Sequence, residues 1–72
     1  MLNKKAVGKR LRELRVKSGE TLQETASHIG VSKQSISHYE SGRRVPSPEV
    51  MEKIADHFGL TVGYIFFRKD ST

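Results

Sequence analysis

Cysteine is absent from this 72-residue chain. That excludes a disulfide framework, a thiolate metal site and a cysteine nucleophile, the usual supports and tools of very small folds. Long apolar runs are lacking too. Charges are scattered through the N-terminal MLNKKAVGKRLREL, so it contains neither the uninterrupted apolar region of a signal peptide nor a membrane span. Both absences fit a soluble chain in a reducing cytoplasm. Period-two alternation does not occur, which excludes a strand pattern, and there is no internal repeat, linker or low-complexity segment. Ligand spacing is missing as well: His28, His38 and His57 are spread over three helical segments with no carboxylate or cysteine at ligand spacing. The glycines form no phosphate loop, and the serines fall at caps and turns, where their local hydrogen bonding favours them. No enzyme, metal, cofactor or small-molecule ligand is expected. A chain this short makes one domain and buries only about 60% of its unfolded surface, so a partner would help it.

What is present in excess is positive charge, +5 net. It is unevenly spread. Residues 1–17 hold Lys4, Lys5, Lys9, Arg10, Arg12, Arg15 and Lys17 against Glu13 alone, whereas residues 18–42 hold only Lys33 against Glu20, Glu24 and Glu40. Residues 43–72 are near balance, with five basic and four acidic groups. Basic clusters suit phosphate neutralisation, although the same charges also serve as a solvated face.

Val7, Leu11 and Leu14 recur at i, i+4 and i+7 and predict a first helix over about 4–17, closed by Gly19. Thr21 with Glu24 three residues on has capping-box spacing for a second helix, whose inner face is Leu22, Thr25, Ala26 and Ile29 and whose end is Gly30. Ser32 caps a third helix with Ile36 and Tyr39 inward and Gly42 as its stop. After the loop SGRRVPSPE, Ser47 caps a fourth helix with Pro48 in its first position; Val50, Met51, Ile54, Ala55 and Phe58 line it and Gly59 ends it. Thr61 starts a last short helix with Val62, Tyr64, Ile65 and Phe66. The expected domain is 1–67, with 68–72 a frayed polar tail.

Two helices joined by a tight glycine turn, the second capped by serine, form a helix-turn-helix. Ala26 must be small where the helices cross, Gly30 makes the turn, and Ile29, Val31 and Ile36 fill the wedge. Lys33, Gln34, Ser35, Ser37 and His38 remain outside as a polar face that fits a DNA major groove. The chain also resembles, from about Val7 to Phe66, the Cro/repressor-type or XRE family. The likeness is carried by RLRELR, by Ala26, Gly30, Val31, Ser32, Ile36, Tyr39 and Glu40 at their spacing, by SGRRVPSPE and by KIADHFGLTVGYIF. The resemblance implies an all-α, compact five-helix domain that binds double-stranded operator DNA, commonly as a two-fold dimer, in a small phage-like transcriptional regulator of repressor type.

Transferred residue by residue, the resemblance makes Lys33, Gln34, Ser37 and His38 base-facing, with Ser32 and Ser35 nearer the phosphates. Gln34 can pair with adenine and Lys33 with guanine, each worth about 1–3 kcal/mol of discrimination. Arg43 and Arg44 would meet the DNA backbone, and Arg10 is divided between a phosphate and water. It also implies a structural ion pair between Arg15 and Glu40. Departures weaken the DNA reading: Leu22 stands where many relatives carry a phosphate-reaching glutamine, with Gln23 one place later, Thr25 replaces a large apolar residue and loosens the packing expected there, and the third helix has a single basic group. A second reading therefore competes, in which the acidic middle segment, with Glu20, Glu24 and Glu40, binds a basic partner, as an antirepressor binds a repressor or an antitoxin a toxin.

Tyr64, Phe66 and Phe67 cannot all turn inward on so short a helix. Either they leave an aromatic homodimer contact, or Phe66 and Phe67 fold back onto the first helix.

Overall fold

Five helices, α1 (Lys4–Lys17), α2 (Leu22–Ile29), α3 (Lys33–Ser41), α4 (Pro48–Phe58) and α5 (Gly63–Phe67), make up the computed structural model, which describes residues 2–68. Residues 69–72 of the expected tail lie outside the described residues. Arg68, its first residue, is extended and holds its guanidinium carbon 4.5 Å from the centre of the Tyr64 ring. No strand occurs among the described residues, and no helix is long and apolar enough to cross a membrane.

Each helix starts where a side-chain oxygen can accept an otherwise unpaired backbone N–H. Asn3 Oδ1 accepts from Ala6 N at 3.0 Å, Ser32 Oγ from Ser35 N at 3.0 Å, and Ser47 Oγ from Val50 N at 3.3 Å. Thr21 and Glu24 exchange both bonds of the capping box, at 3.1 and 2.8 Å. A cap of this kind contributes about 1 kcal/mol, a large share of what so small a domain can hold in reserve. Thr61 Oγ1 takes the Tyr64 N–H at 3.0 Å, and the turn that follows is a π-helix, wider than an α-helical turn. One carbonyl of that turn, on Ile65, accepts from Nη1 of Arg10.

The α2–α3 turn is built on Gly30, whose φ of +86° lies in the left-handed region that a side chain disfavours. Its N–H and that of Val31 both bond the Ala26 carbonyl, at 2.8 and 3.1 Å, which closes α2 within one residue. Ala26 is fully buried at the crossing. The core gathers Val7 and Leu11 of α1, Ala26 and Ile29 of α2, Ile36 and Tyr39 of α3, Met51, Ile54 and Ala55 of α4, and Ile65 and Phe66 of α5. Leu14, Leu22, Val31, Val50 and Phe58 pack half-buried at its margin.

Phe66 is 2% exposed, so it is a core residue and not a dimer contact: one turn of helix can seat only Ile65 and Phe66 against α1. Tyr64 and Phe67 are exposed at 48% and 58%. Of the two residues that folding back would have taken inward, only Phe66 goes. Gly8 has a role that its place in the middle of α1 had concealed. There α1 lies directly on the end of α3, and a Cβ on Gly8 would stand 2.6 Å from the Tyr39 carbonyl oxygen and closer still to that of Glu40. The contact is backbone on backbone, which fixes the height of α3 above the core.

Candidate nucleic-acid interface

Because Ile36 and Tyr39 anchor α3 inward, helical spacing turns Lys33, Gln34 and Ser37 out to solvent, while His38 is half-buried beside them. These four line one open concavity together with Leu22, Ser41 and Arg43. Ser41 was not foreseen there, although it continues the 34, 37, 38 series by helical spacing. Leu22 forms the wall of the concavity on the α2 side, where it supplies apolar contact in place of a hydrogen bond. None of the side chains of Lys33, Gln34, Ser37 and His38 makes a hydrogen bond or ion pair among the described residues, and Nδ1 of His38 is buried without a partner. The face is therefore unspent donor and acceptor capacity on a rigid frame.

The residues expected near the phosphates fall into two groups. Arg43 and Arg44 are exposed at the end of α3, and their own N–H groups fold back to the His38 carbonyl at 2.9 and 3.3 Å, which fixes the start of the loop. Ser32 and Ser35 lie at the first turn of α3 with their hydroxyls bonded to each other at 2.9 Å, and Gln23 is exposed on α2 with Nε2 donating to Ser27 Oγ at 3.2 Å. Arg10 is displaced from that group: it is half-buried and ties α1 to α5 through the Ile65 carbonyl, because a long side chain at the edge of the core finds an unpaired carbonyl within reach.

Arg15 and Glu40 meet behind α3. Nε donates to Oε2 at 2.6 Å and Nη2 to Oε1 at 3.2 Å, a two-point pairing, and Nη1 donates to the Glu20 carbonyl at 2.9 Å. The Glu40 hydrogen bond holds the Arg15 proton more tightly than usual, against the opposing cost of burial. One guanidinium thus ties α1, the α1–α2 turn and the end of α3.

A second cluster had no counterpart in the sequence reading. The Glu20 carboxylate accepts from Thr25 Oγ1 at 2.6 Å and is met by His57 Nε2 at 2.8 Å, while the His28 ring stacks on His57 at 4.7 Å between centres. Burial pushes the Glu20 carboxyl upward, yet the Thr25 and His57 contacts outweigh it and leave its affinity for protons below the ordinary value. Thr25, expected to loosen the packing as a small replacement, is 3% exposed and has its hydroxyl bonded, so it stitches α2 to the turn before it.

Taken together these contacts occupy the acidic middle segment from within. Glu20 is engaged by Thr25 and His57, Glu24 by the Thr21 N–H, and Glu40 by Arg15. Of the three, only Glu24 stays exposed to attract a basic partner. The remaining arrangement, a short capped helix with an unencumbered polar outer face, propped by a glycine-turned neighbour and followed by two exposed arginines, defines a helix-turn-helix domain of the kind that presents one helix to the DNA major groove.

Comparison with known proteins gives the same class. Residues 6–63 match the family model described as "Helix-turn-helix domain". The HTH-type transcriptional regulator AnsR of Bacillus subtilis is 42% identical over 60 residues, which is 83% of this chain and 52% of that protein. An HTH-type transcriptional regulator of Archaeoglobus fulgidus is 36% identical over 61 residues, 85% of this chain and 87% of its own length. Among solved structures, SinR, the master regulator for biofilm formation, in complex with DNA superposes with a TM-score of 0.76 at 28% identity over 82% of this chain and 95% of that one. The chain belongs to the helix-turn-helix family, of the Cro/repressor or XRE type. It spans about half the length of AnsR.

Proposed function

We propose that this chain is a sequence-specific transcriptional regulator of repressor type that reads double-stranded operator DNA in the major groove with α3. The observation that carries the reading is the outer face of α3, where Lys33, Gln34, Ser37 and His38 share one open concavity with Arg43 and none of the four side chains is bonded among the described residues. In this assignment Gln34 pairs with adenine and Lys33 with guanine. Ser37 and His38 add hydrogen bonds to base edges, while Ser32, Ser35, Gln23, Arg43 and Arg44 set the register on the phosphates. The chain works in the cytoplasm, where its DNA is.

Tyr64 and Phe67 are the dimer contact in this reading, and two reading helices then meet successive major grooves about 34 Å apart on a palindromic site. The antirepressor or antitoxin reading rests on the acidic middle segment, and it weakens once Glu20 and Glu40 are paired with His57 and Arg15 inside the domain.

The test is a titration of the full chain against the DNA upstream of its own coding sequence, at two salt concentrations, beside an unrelated fragment of equal length. Salt-sensitive binding that prefers its own upstream DNA by about a thousandfold, the lower end of the usual specific range of about 10³–10⁷, is the expected result. Gln34→Ala should shrink that preference with little effect on binding to the unrelated fragment, whereas Arg43→Ala with Arg44→Ala should weaken binding to both. Weak binding without preference would overturn the operator assignment.

A further inference from the structure

We propose that Lys4 and Lys5, together with Arg43 and Arg44, form a second contact strip, which grips the DNA phosphates flanking the bases that α3 reads. The inference rests on the DNA-reading role proposed for α3 and adds to it a surface that the helix-turn-helix itself does not contain. Three observations on the first helix carry it.

The first is placement. Gly42 is the residue before the two loop arginines, and a Cβ on it would lie 3.4 Å from the Cα of Lys5 and 3.5 Å from the carbonyl carbon of Lys4. The first turn of α1 is therefore packed against the end of α3, where Arg43 and Arg44 begin. All four residues are exposed, and Arg43 lines the same concavity as Lys33, Gln34, Ser37 and His38, so the four cations share the corner of the domain next to the reading face. The strip comes from two elements that are distant in sequence, and the packing of α1 on α3 at Gly8 and Gly42 brings them together.

The second is electrostatic. The first turn of a helix carries the positive end of its dipole, and acidic groups belong there. In α2 and α4 that turn holds Glu24 and Glu49, as helix stability favours, while the first turn of α1 has no acidic group and two lysines, and that of the reading helix α3 likewise has no acidic group and starts on Lys33. Lys4 and Lys5 therefore work against their own helix. At the other end of α1, Arg15 and Lys17 lie where cations are favourable. The third observation is that no carboxylate neutralises the strip: among the described residues, Lys4, Lys5, Arg43 and Arg44 make no side-chain ion pair or hydrogen bond. Four unneutralised cations, two of them adverse to the fold that carries them, match a polyanion laid across the strip. Its continuity with the α3 face identifies that polyanion as the phosphate backbone of the same duplex.

The experiment compares the full chain with Lys4→Gln/Lys5→Gln and with a control, Lys17→Gln/Lys53→Gln, which removes the same net charge elsewhere. Each is titrated by fluorescence anisotropy against a short duplex of about 12 base pairs and a long one of about 30, the latter extending well beyond a single turn of contact. The natural chain is expected to bind the long duplex more tightly, with a steeper dependence on salt. Lys4→Gln/Lys5→Gln should lose that advantage, with the slope of log K against log salt reduced by about two, while its melting temperature stays level or rises. The control should keep the advantage.

If the natural chain binds and the Lys4→Gln/Lys5→Gln slope is unchanged, the strip is refuted and the reading of α3 stands. Should the natural chain bind neither duplex, the reading falls and the strip with it. A lower melting temperature in Lys4→Gln/Lys5→Gln would mean that the lysines serve the fold. Loss of binding to polyglutamate as large as the loss to DNA would assign the strip to an acidic protein instead.

Discussion

Replacing Gly8 by alanine sets two effects of opposite sign against each other. In an exposed helix interior the change would stabilise by about 1 kcal/mol, since glycine is the poorer helix former. Here the new Cβ would stand 2.6 Å from the Tyr39 carbonyl oxygen and nearer still to that of Glu40. Ordinary separations between non-bonded heavy atoms are about 3.5 Å, so relief requires α1 and α3 to part by roughly 1 Å. Both obstacles are backbone, and neither can rotate away. Overpacking of a tight contact costs about 1–3 kcal/mol, and with backbone on both sides the upper figure applies. The net is about 2 kcal/mol of destabilisation, which in a domain of this size lowers the melting temperature by roughly 8–16 °C. Thermal unfolding followed by circular dichroism reads it directly. Gly63→Ala is the matched control, because a Cβ there meets nothing within 4 Å, and it should leave stability level or raise it slightly. A Gly8→Ala variant as stable as the natural chain would refute the argument that α1 and α3 touch through their backbones.

Further outcomes follow from the contacts behind the reading helix. Glu40→Gln should destabilise by about 3 kcal/mol, because it leaves the Arg15 guanidinium, whose side chain is only 13% exposed, facing an uncharged group; chemical denaturation should show it in high salt as well as low. Glu20 has a lowered proton affinity in the folded state, so the unfolded chain binds more protons; the stability this contributes is present above the ordinary value of 4.5 and is lost as pH falls below it. Glu20→Gln should flatten that acid limb of the stability profile, and an acid limb of the same depth in Glu20→Gln would remove the cluster from the account. Phe67→Ser with Tyr64→Ser should leave the melting temperature nearly unchanged, since both side chains are largely exposed, while shifting sedimentation toward the monomer. Unchanged sedimentation at concentrations where the natural chain is dimeric would place the dimer contact elsewhere.

The helix boundaries were legible because their causes are local. A cap and the N–H it binds lie three residues apart, as in Thr21 with Glu24 and Ser32 with Ser35, and glycines such as Gly30 mark the left-handed turns. The outer face of α3 followed from the same periodicity once Ile36 and Tyr39 were set inward. Contacts between distant segments leave no such trace. Glu20 and His57 are 37 residues apart and meet only because the end of α4 packs against α2, where His57 also stacks on His28. Nothing near Gly8 in the chain reveals the carbonyls that lie above it. Arg15 with Glu40 came from resemblance and not from any spacing. Hydropathy alone could not divide Phe66 from Phe67 either: adjacent residues of equal character are separated by which of them the turn of α5 points at α1.

The outer face of α3 carries no structural duty. The side chains at 33, 34, 37 and 38 make no hydrogen bond or ion pair among the described residues, while Ile36, Tyr39 and Glu40 anchor the inner side. Such a division lets the two faces evolve at separate rates. If α3 reads DNA as proposed, substitutions on the outside redirect the chain to another stretch of DNA with little effect on folding, and a duplicated gene could acquire a new target in a few steps. The same four positions are where a laboratory library should be built, since nearly every member of it would still fold.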